Sequence, residues 1–323
     1  MHLTLAIPAL LWPYASAALP PLSLPALDGL RQWGRFQHQT QTRSAFYAQY
    51  LNSGSWCATL APTASVDEHE FCLLCSPISQ TVGMHQAPFS SDKQLQLSMS
   101  EAHHYCQTLS AFFETEHIRF VAARPTLWLM IIPQAWSFQI PSLWDLHGSM
   151  DKASKPSGVD AGRMLQLLTE CQMLLFQHPL NKQRQQSGLA PINGLWLQND
   201  LIGNASQSIS LFADNDWACS AQPLPVNGTT LLQQLAAAQT THAVVFLDDL
   251  TTPVDANDAY AYAAILNRWE IDWFRPLQQA LHSKPSFTLS LHTDGDQGGI
   301  MTIRKPWFTP FWRHRSAFNG QTL

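Results

Sequence analysis

His178, Asn181, Arg184 and Asn193 crowd one short stretch, ECQMLLFQHPLNKQRQQSGLAPINGLWL from Glu170 to Leu197, with Glu170 and Gln172 just upstream. A guanidinium fork beside side-chain amides suits recognition of a carboxylate or phosphate better than proton transfer or metal binding. These four residues are therefore the candidate ligand-binding set, for a small phosphorylated or carboxylate anion. The elements that position them read as a helix ending at His178-Pro179, a polar turn closing at Gly188, and an apolar strand launched by Pro191. Loops that flank strands in this way are common ligand positions in α/β proteins. A structural reading competes, in which His178 caps the helix end and Arg184 is an ordinary helix residue.

Asp248 and Asp249 finish the apolar run VVFLDD and are the alternative site, for a metal. The DxDxT pattern of aspartyl phosphatases is missing, since Leu250 occupies the position of its second acid. Turn capping explains the pair equally well. His292, Asp294 and Asp296 in HTDGDQGG read as a hairpin turn, because Asp-Gly favours tight turns. Glu270 and Asp272 stand two apart on a helix and face different sides, while Trp269, Trp273 and Leu277 share a packing face that Pro276 bends. Cys72 and Cys75 form a CxxC, but in the strand-like EFCLLC they point to opposite faces. Neither a second CxxC nor a nearby CxH completes a zinc or redox motif. No glycine-rich phosphate loop is found, and no cofactor is expected.

The 323 residues are 46% hydrophobic and only 13% charged, enough for a large buried core. Lys and Arg total 18 against 23 acids, a net charge of −5 that offers no general attraction to nucleic acid. Six scattered cysteines fit reduced thiols rather than a disulfide framework. The N-terminal MHLTLAIPALLWPYASAALPPL has no lysine or arginine before Arg31, and Pro8 and Pro13 interrupt it. It reads as a core strand over 3–7 rather than a secretory signal. No membrane span is expected, and the expected location is cytoplasmic.

Strands are expected at 71–75, 95–97, 126–132, 192–197, 243–247, 286–291 and 300–303. Helices are expected at 100–114, 160–177 behind an Asp160 cap, 231–238 and 258–282. This alternation implies an α/β or α+β fold with a mixed sheet flanked by helices. The polar stretch 147–159 suggests a division into residues 1–150 and 151–323, two α/β halves, unless the chain is one continuous domain. The C-terminal RKPWFTPFWRHR mixes Arg304, Lys305, Arg313 and Arg315 with four large aromatics. It is expected to pack on its own domain, with a membrane surface, RNA or a partner as the alternatives.

Several separated pieces resemble the RpfE-type regulatory proteins of proteobacteria, which carry the label cofactor-independent phosphoglycerate mutase. They are LAIPAL, LPAL at Leu24–Leu27, RFVAARPTLWLM, the 170–197 segment, EIDWFRPLQQAL and FWRHR, and together they span nearly the whole chain. The central piece also resembles archaeal-type phosphoglycerate mutases, through His178, Pro179, Asn181, Arg184, Pro191 and Asn193. The resemblance implies a core of the alkaline-phosphatase-like kind and, in the mutases, a two-metal site with a serine or threonine nucleophile. This chain has no DGxxD-type start and no late DH pair. Gln198-Asn199-Asp200 replace the glycines after the strand, and Ser76-Pro77-Ile78-Ser79 stands where the family has a DPVH-like segment. The core is thus read as degenerate, and the protein as a non-catalytic binder of a small anion or a protein partner, with a phosphoglycerate mutase-like phosphomutase or phosphohydrolase as the alternative.

Overall fold

The computed structural model describes residues 1–14, 19–81, 87–150, 154–206, 208–305 and 317–323. In chain order the strands are β1 (His2–Ala6), β2 (Gly34–His38), β3 (Ser53–Ser55), β4 (Phe71–Gln80), β5 (Ala87–Ser90), β6 (Arg119–Ala122) and β7 (Trp128–Ile132). They continue as β8 (Ser149–Met150), β9 (Gly194–Gln198), β10 (Ile202–Asn204), β11 (Ser210–Ala213), β12 (His242–Phe246), β13 (Thr288–Thr293) and β14 (Gly299–Arg304). The chain divides into two compact units. Unit 1 comprises residues 1–51, 205–214 and 220–323, and unit 2 comprises 52–204 and 215–219. The break expected at 150/151 falls inside unit 2, where Ser157 exchanges backbone hydrogen bonds with Gln139.

Unit 1 is a six-stranded mixed sheet in the order β11-β12-β1-β13-β14-β2, flanked by helices. The first four strands run parallel, and β14 and β2 complete the sheet antiparallel. The apolar runs LTLA and AVVF are buried, as parallel strands covered on both faces require. Leu3, Leu5, Val245, Leu289 and Leu291 form one core with Leu27, Leu231, Leu266, Trp269 and Leu277 from the helices. Phe246 meets Phe46, Tyr47 and Tyr50 of the helix Arg43–Tyr50. The HTDGDQGG segment is the turn between β13 and β14.

The helix expected over 258–282 forms in three parts, Ala259–Trp269, a π-helical turn Glu270–Phe274, and Arg275–Ser283. Pro276 has no N–H to give the preceding turn, and the wider turn accommodates that loss. Glu270 points inward, and its carboxylate accepts from Ala26 N and Leu27 N at 2.7 and 3.2 Å. It thereby caps the helix Pro25–Trp33, whose own N-cap Leu24 offers no side-chain acceptor.

Unit 2 centres on the long strand β4, which pairs antiparallel with β7, β9 and β5. Leu73, Cys75, Met130, Leu195 and Leu197 pack against Tyr105, Cys106, Met164, Leu167 and Cys171 of two helices, Met99–Phe112 and Ala161–Phe176. Several local expectations are corrected. Leu95 lies in a 3-10 turn, not a strand, and the polar turn at 181–184 is the helix Pro179–Gln186. Asp160 occupies the N-cap position without capping; its carboxylate accepts from Ser137 N instead. Among the described residues no helix is long and apolar enough to cross a membrane. Of the basic-aromatic tail, residues 306–316 lie outside the described residues, so the expected packing of Trp307, Phe308, Phe311 and Trp312 lies there too.

Glu270→Ala should strand two buried N–H groups at the start of Pro25–Trp33 and lower unfolding free energy by about 1–3 kcal/mol. Urea titration followed by tryptophan fluorescence reads this directly. An unchanged midpoint would deny the cap its role.

Candidate functional site

The carboxyl ends of parallel strands are the usual ligand side of an open α/β sheet. In unit 1 that side holds an ion cluster. Arg43, at the first turn of the helix Arg43–Tyr50, is 4% exposed. Its Nη1 donates to both carboxylate oxygens of Asp255 at 2.7 and 2.8 Å, and its Nε to Asp294 Oδ2 at 3.4 Å. The other oxygen of Asp294 accepts from Ala9 N at 2.6 Å, just past the end of β1. Thr293 Oγ1 accepts from Leu10 N at 3.3 Å. Ala9 sits at φ 58°, a left-handed conformation costly for a residue with a Cβ, and Asp294 holds it there. Burial alone would lower the Arg43 pKa, but Asp255 and Asp294 outweigh it and hold the guanidinium charged.

Beside this cluster the Tyr50 hydroxyl is hydrogen-bonded to His292 Nδ1. Burial, with a smaller contribution from His2, lowers the His292 pKa to about 4. A neutral imidazole carries one ring proton, and its tautomer sets whether Tyr50 donates or accepts in this bond. Burial raises the Tyr50 pKa, which keeps the hydroxyl protonated.

Asp248 is buried, 6% exposed, at the end of β12. Asp249 turns outward and pairs with Arg268 at 2.6 Å. Among the described residues no group of three or more His, Cys, Asp or Glu is arranged to hold a metal ion. The donors among the described residues do not fit the two-metal site that the mutase resemblance implies, which needs several carboxylates and imidazoles converging. A cavity of about 480 Å³ opens at the ends of β11 and β12, lined by Asp214, Asp249, Asp272, Arg268, Trp269 and Trp273 among others. Three carboxylates against one guanidinium make it a poor receptor for phosphate.

The four residues expected to bind an anion lie together in unit 2, with their polar atoms engaged by their own chain. Asn181 Oδ1 accepts from the Tyr105 hydroxyl and Ile192 N, and its Nδ2 donates to Leu175 O and Ile192 O, all at 2.7 to 2.8 Å. That fills both lone pairs and both donors. Arg184, 2% exposed, donates to Ala190 O at 2.9 Å, to Glu101 Oε1 at 2.7 Å and to Leu95 O. Asn193 exchanges a pair of bonds with the Gln80 backbone at 2.7 and 2.8 Å. His178 Nδ1 accepts from Leu180 N at 3.3 Å, so the proton sits on Nε2 and points to Thr108 Oγ1 at 3.0 Å. Burial, then His104, lowers its pKa. An anion at this place would have to displace bonds that tie the helix Pro179–Gln186 to the helix Met99–Phe112 and the segment before β9 to β4.

Arg43, Asp255 and Thr293 belong to no motif in the sequence, and Asp294 reads there only as a turn residue. Arg43 and Asp255 are 212 positions apart, and no spacing rule joins them. The one available signal was an arginine two residues behind the Gln41-Thr42 start of an aromatic helix in a chain with few charges.

No family model matches the chain, and no curated protein matches it in sequence. Solved structures similar to it include the following two. The cofactor-independent phosphoglycerate mutase from Thermoplasma acidophilum DSM 1728 is 11% identical, with 99% of this chain and 94% of that chain covered, at a TM-score of 0.43. The PH0037 protein from Pyrococcus horikoshii is 10% identical, with 99% and 91% covered, at a TM-score of 0.51. At that identity the second likeness speaks for the α/β fold alone, and the first, with a TM-score under 0.5, carries no argument.

Two measurements follow. Arg184→Ala leaves Glu101 without its cation and two carbonyls without a donor, so the unfolding free energy should fall by about 3–5 kcal/mol. If calorimetry instead finds a phosphoglycerate bound by the parent chain and lost in a stably folded Arg184→Ala, an anion site exists there. The second concerns His292, whose folded pKa of about 4 lies below its ordinary 6.5. The unfolded chain takes up this proton first as pH falls, so the stability His292 contributes is full above about pH 6.5 and is lost as pH drops toward 4. His292→Gln should flatten the melting temperature across that window.

Proposed function

We propose that this chain is a non-catalytic binding protein of the RpfE regulatory type, built on a degenerate alkaline-phosphatase-like core. The observation that carries this reading is the Arg43 cluster. At the strand ends of unit 1 a tethered guanidinium is held by Asp255 and Asp294, and these carboxylates are thereby committed to a cation that cannot leave. A metal-dependent phosphotransferase needs such acids for exchangeable metal and needs a nucleophile beside them. Thr293 is buried, and its hydroxyl oxygen is engaged by the backbone of Leu10. The regulatory part of the proposal rests on the segments that resemble RpfE-type proteins, and in it the chain acts by binding a small phosphorylated or carboxylate ligand or a protein partner.

The test is an assay of the purified full chain for phosphoglycerate mutase activity and for hydrolysis of p-nitrophenyl phosphate, with manganese, cobalt, magnesium and zinc supplied in turn. Background rates and an unmoved melting temperature are expected, since a metal that binds the native state raises it. Metal-dependent turnover that disappears in Asp248→Ala would replace this reading with the phosphomutase or phosphohydrolase alternative.

A further inference from the structure

The CxxC of β4 is a mismatched pair, but one of its thiols has another partner. Cys75 faces the core of unit 2 beside Cys106 and Cys171, and Cys72 faces the other side of the strand, half-buried. There it meets Cys57, the second residue of the helix Trp56–Ala64. The Cys57 thiol donates to Cys72 O at 3.3 Å. Cys57 N in turn donates to Asp200 Oδ1 at 2.9 Å, which places a carboxylate at the same spot.

We propose that Cys57 and Cys72 form a reversible dithiol–disulfide pair, oxidised by a low-molecular-weight disulfide of the glutathione class. The neighbouring Cys72 side chain, then burial and Asp200, hold the Cys57 thiol protonated well above its ordinary pKa. The more accessible Cys72 therefore reacts first. Its thiolate attacks one sulfur of the external disulfide, the S–S bond breaks, and one small thiolate leaves. Cys57 then passes its proton to the Asp200 carboxylate or to water and attacks Cys72 Sγ, expelling the second small thiolate. Two protein thiols are oxidised to one disulfide, and one external disulfide is reduced to two thiols. The new bond ties the start of Trp56–Ala64 to β4 across a short exposed loop and removes freedom from the unfolded chain.

The full chain, reduced and then incubated with glutathione disulfide, should lose two of its six thiols and yield a proteolytic peptide pair joining Cys57 to Cys72. The oxidised chain should melt several degrees higher than the reduced one, and a dithiol reductant should reverse the shift. Cys57→Ser should stop at a mixed disulfide on Cys72, and Cys72→Ser, at a half-exposed position with little folding risk, should abolish the reaction. A Cys72–Cys75 link, no link at all, or an oxidised chain melting no higher than the reduced one would overturn the proposal. None of these outcomes bears on the Arg43 reading.

Discussion

A guanidinium taken out of water must be met by carboxylates, and much of unit 1 depends on that one requirement at Arg43. The cation comes from the helix Arg43–Tyr50, its acids from the helix Thr251–Asp255 and from the turn after β13, so three separate pieces of chain converge on one charge. Asp294 extends the tie to β1 through Ala9 N. Desolvation makes such a cluster a weak source of net stability, yet removing one member leaves the others buried without a counter-charge. Its effect is therefore on uniqueness: the strand ends have one arrangement that satisfies every charge. Hydrophobic burial between sheet and helices supplies the driving force, and the cluster fixes the register in which that burial occurs.

Unit 2 meets a similar requirement with one ion pair and several side-chain bonds to backbone. Its helix Pro179–Gln186 is polar and short, and could not hold itself in water. Asn181 and Arg184 bind it by side-chain bonds to backbone atoms that regular structure leaves over, including Leu95 O in a 3-10 turn and Leu175 O at a helix end. Glu101 joins in, because the same carboxylate group that closes a capping box with Ser98 also receives Arg184. The polar residues of this set thereby satisfy irregular backbone inside the unit.

What could be read from sequence follows the range of the physical signal. The helix at Ala161–Phe176 was legible because Met164, Cys171 and Leu175 recur at the helical period, and β12 was legible as an unbroken apolar run. The hairpin at 293–299 followed from Asp-Gly. Short helices such as Trp56–Ala64, with an internal proline, and the exposed edge strand β2 carry no period that propensity can detect. The division of the chain was misplaced at 147–159, because a polar stretch is as much the mark of a surface loop as of a linker. The Arg43 cluster was out of reach, since its members gain meaning only once topology brings them together.

The arginine at the strand ends occupies the acids that an exchanging metal would need at that place. A metal ion used in catalysis exchanges ligands, accepting substrate oxygen in place of water, and needs acids whose lone pairs remain open to it. A guanidinium offers only N–H donors in a fixed plane, cannot lose its proton at accessible pH, and is attached to the chain. Asp255 gives both of its oxygens to that plane, and Asp294 divides its two between the cation and the backbone of Ala9. To recruit a metal, the unit would have to expel a buried charge and at the same moment release the left-handed turn at Ala9, and nothing in the cluster compensates for either.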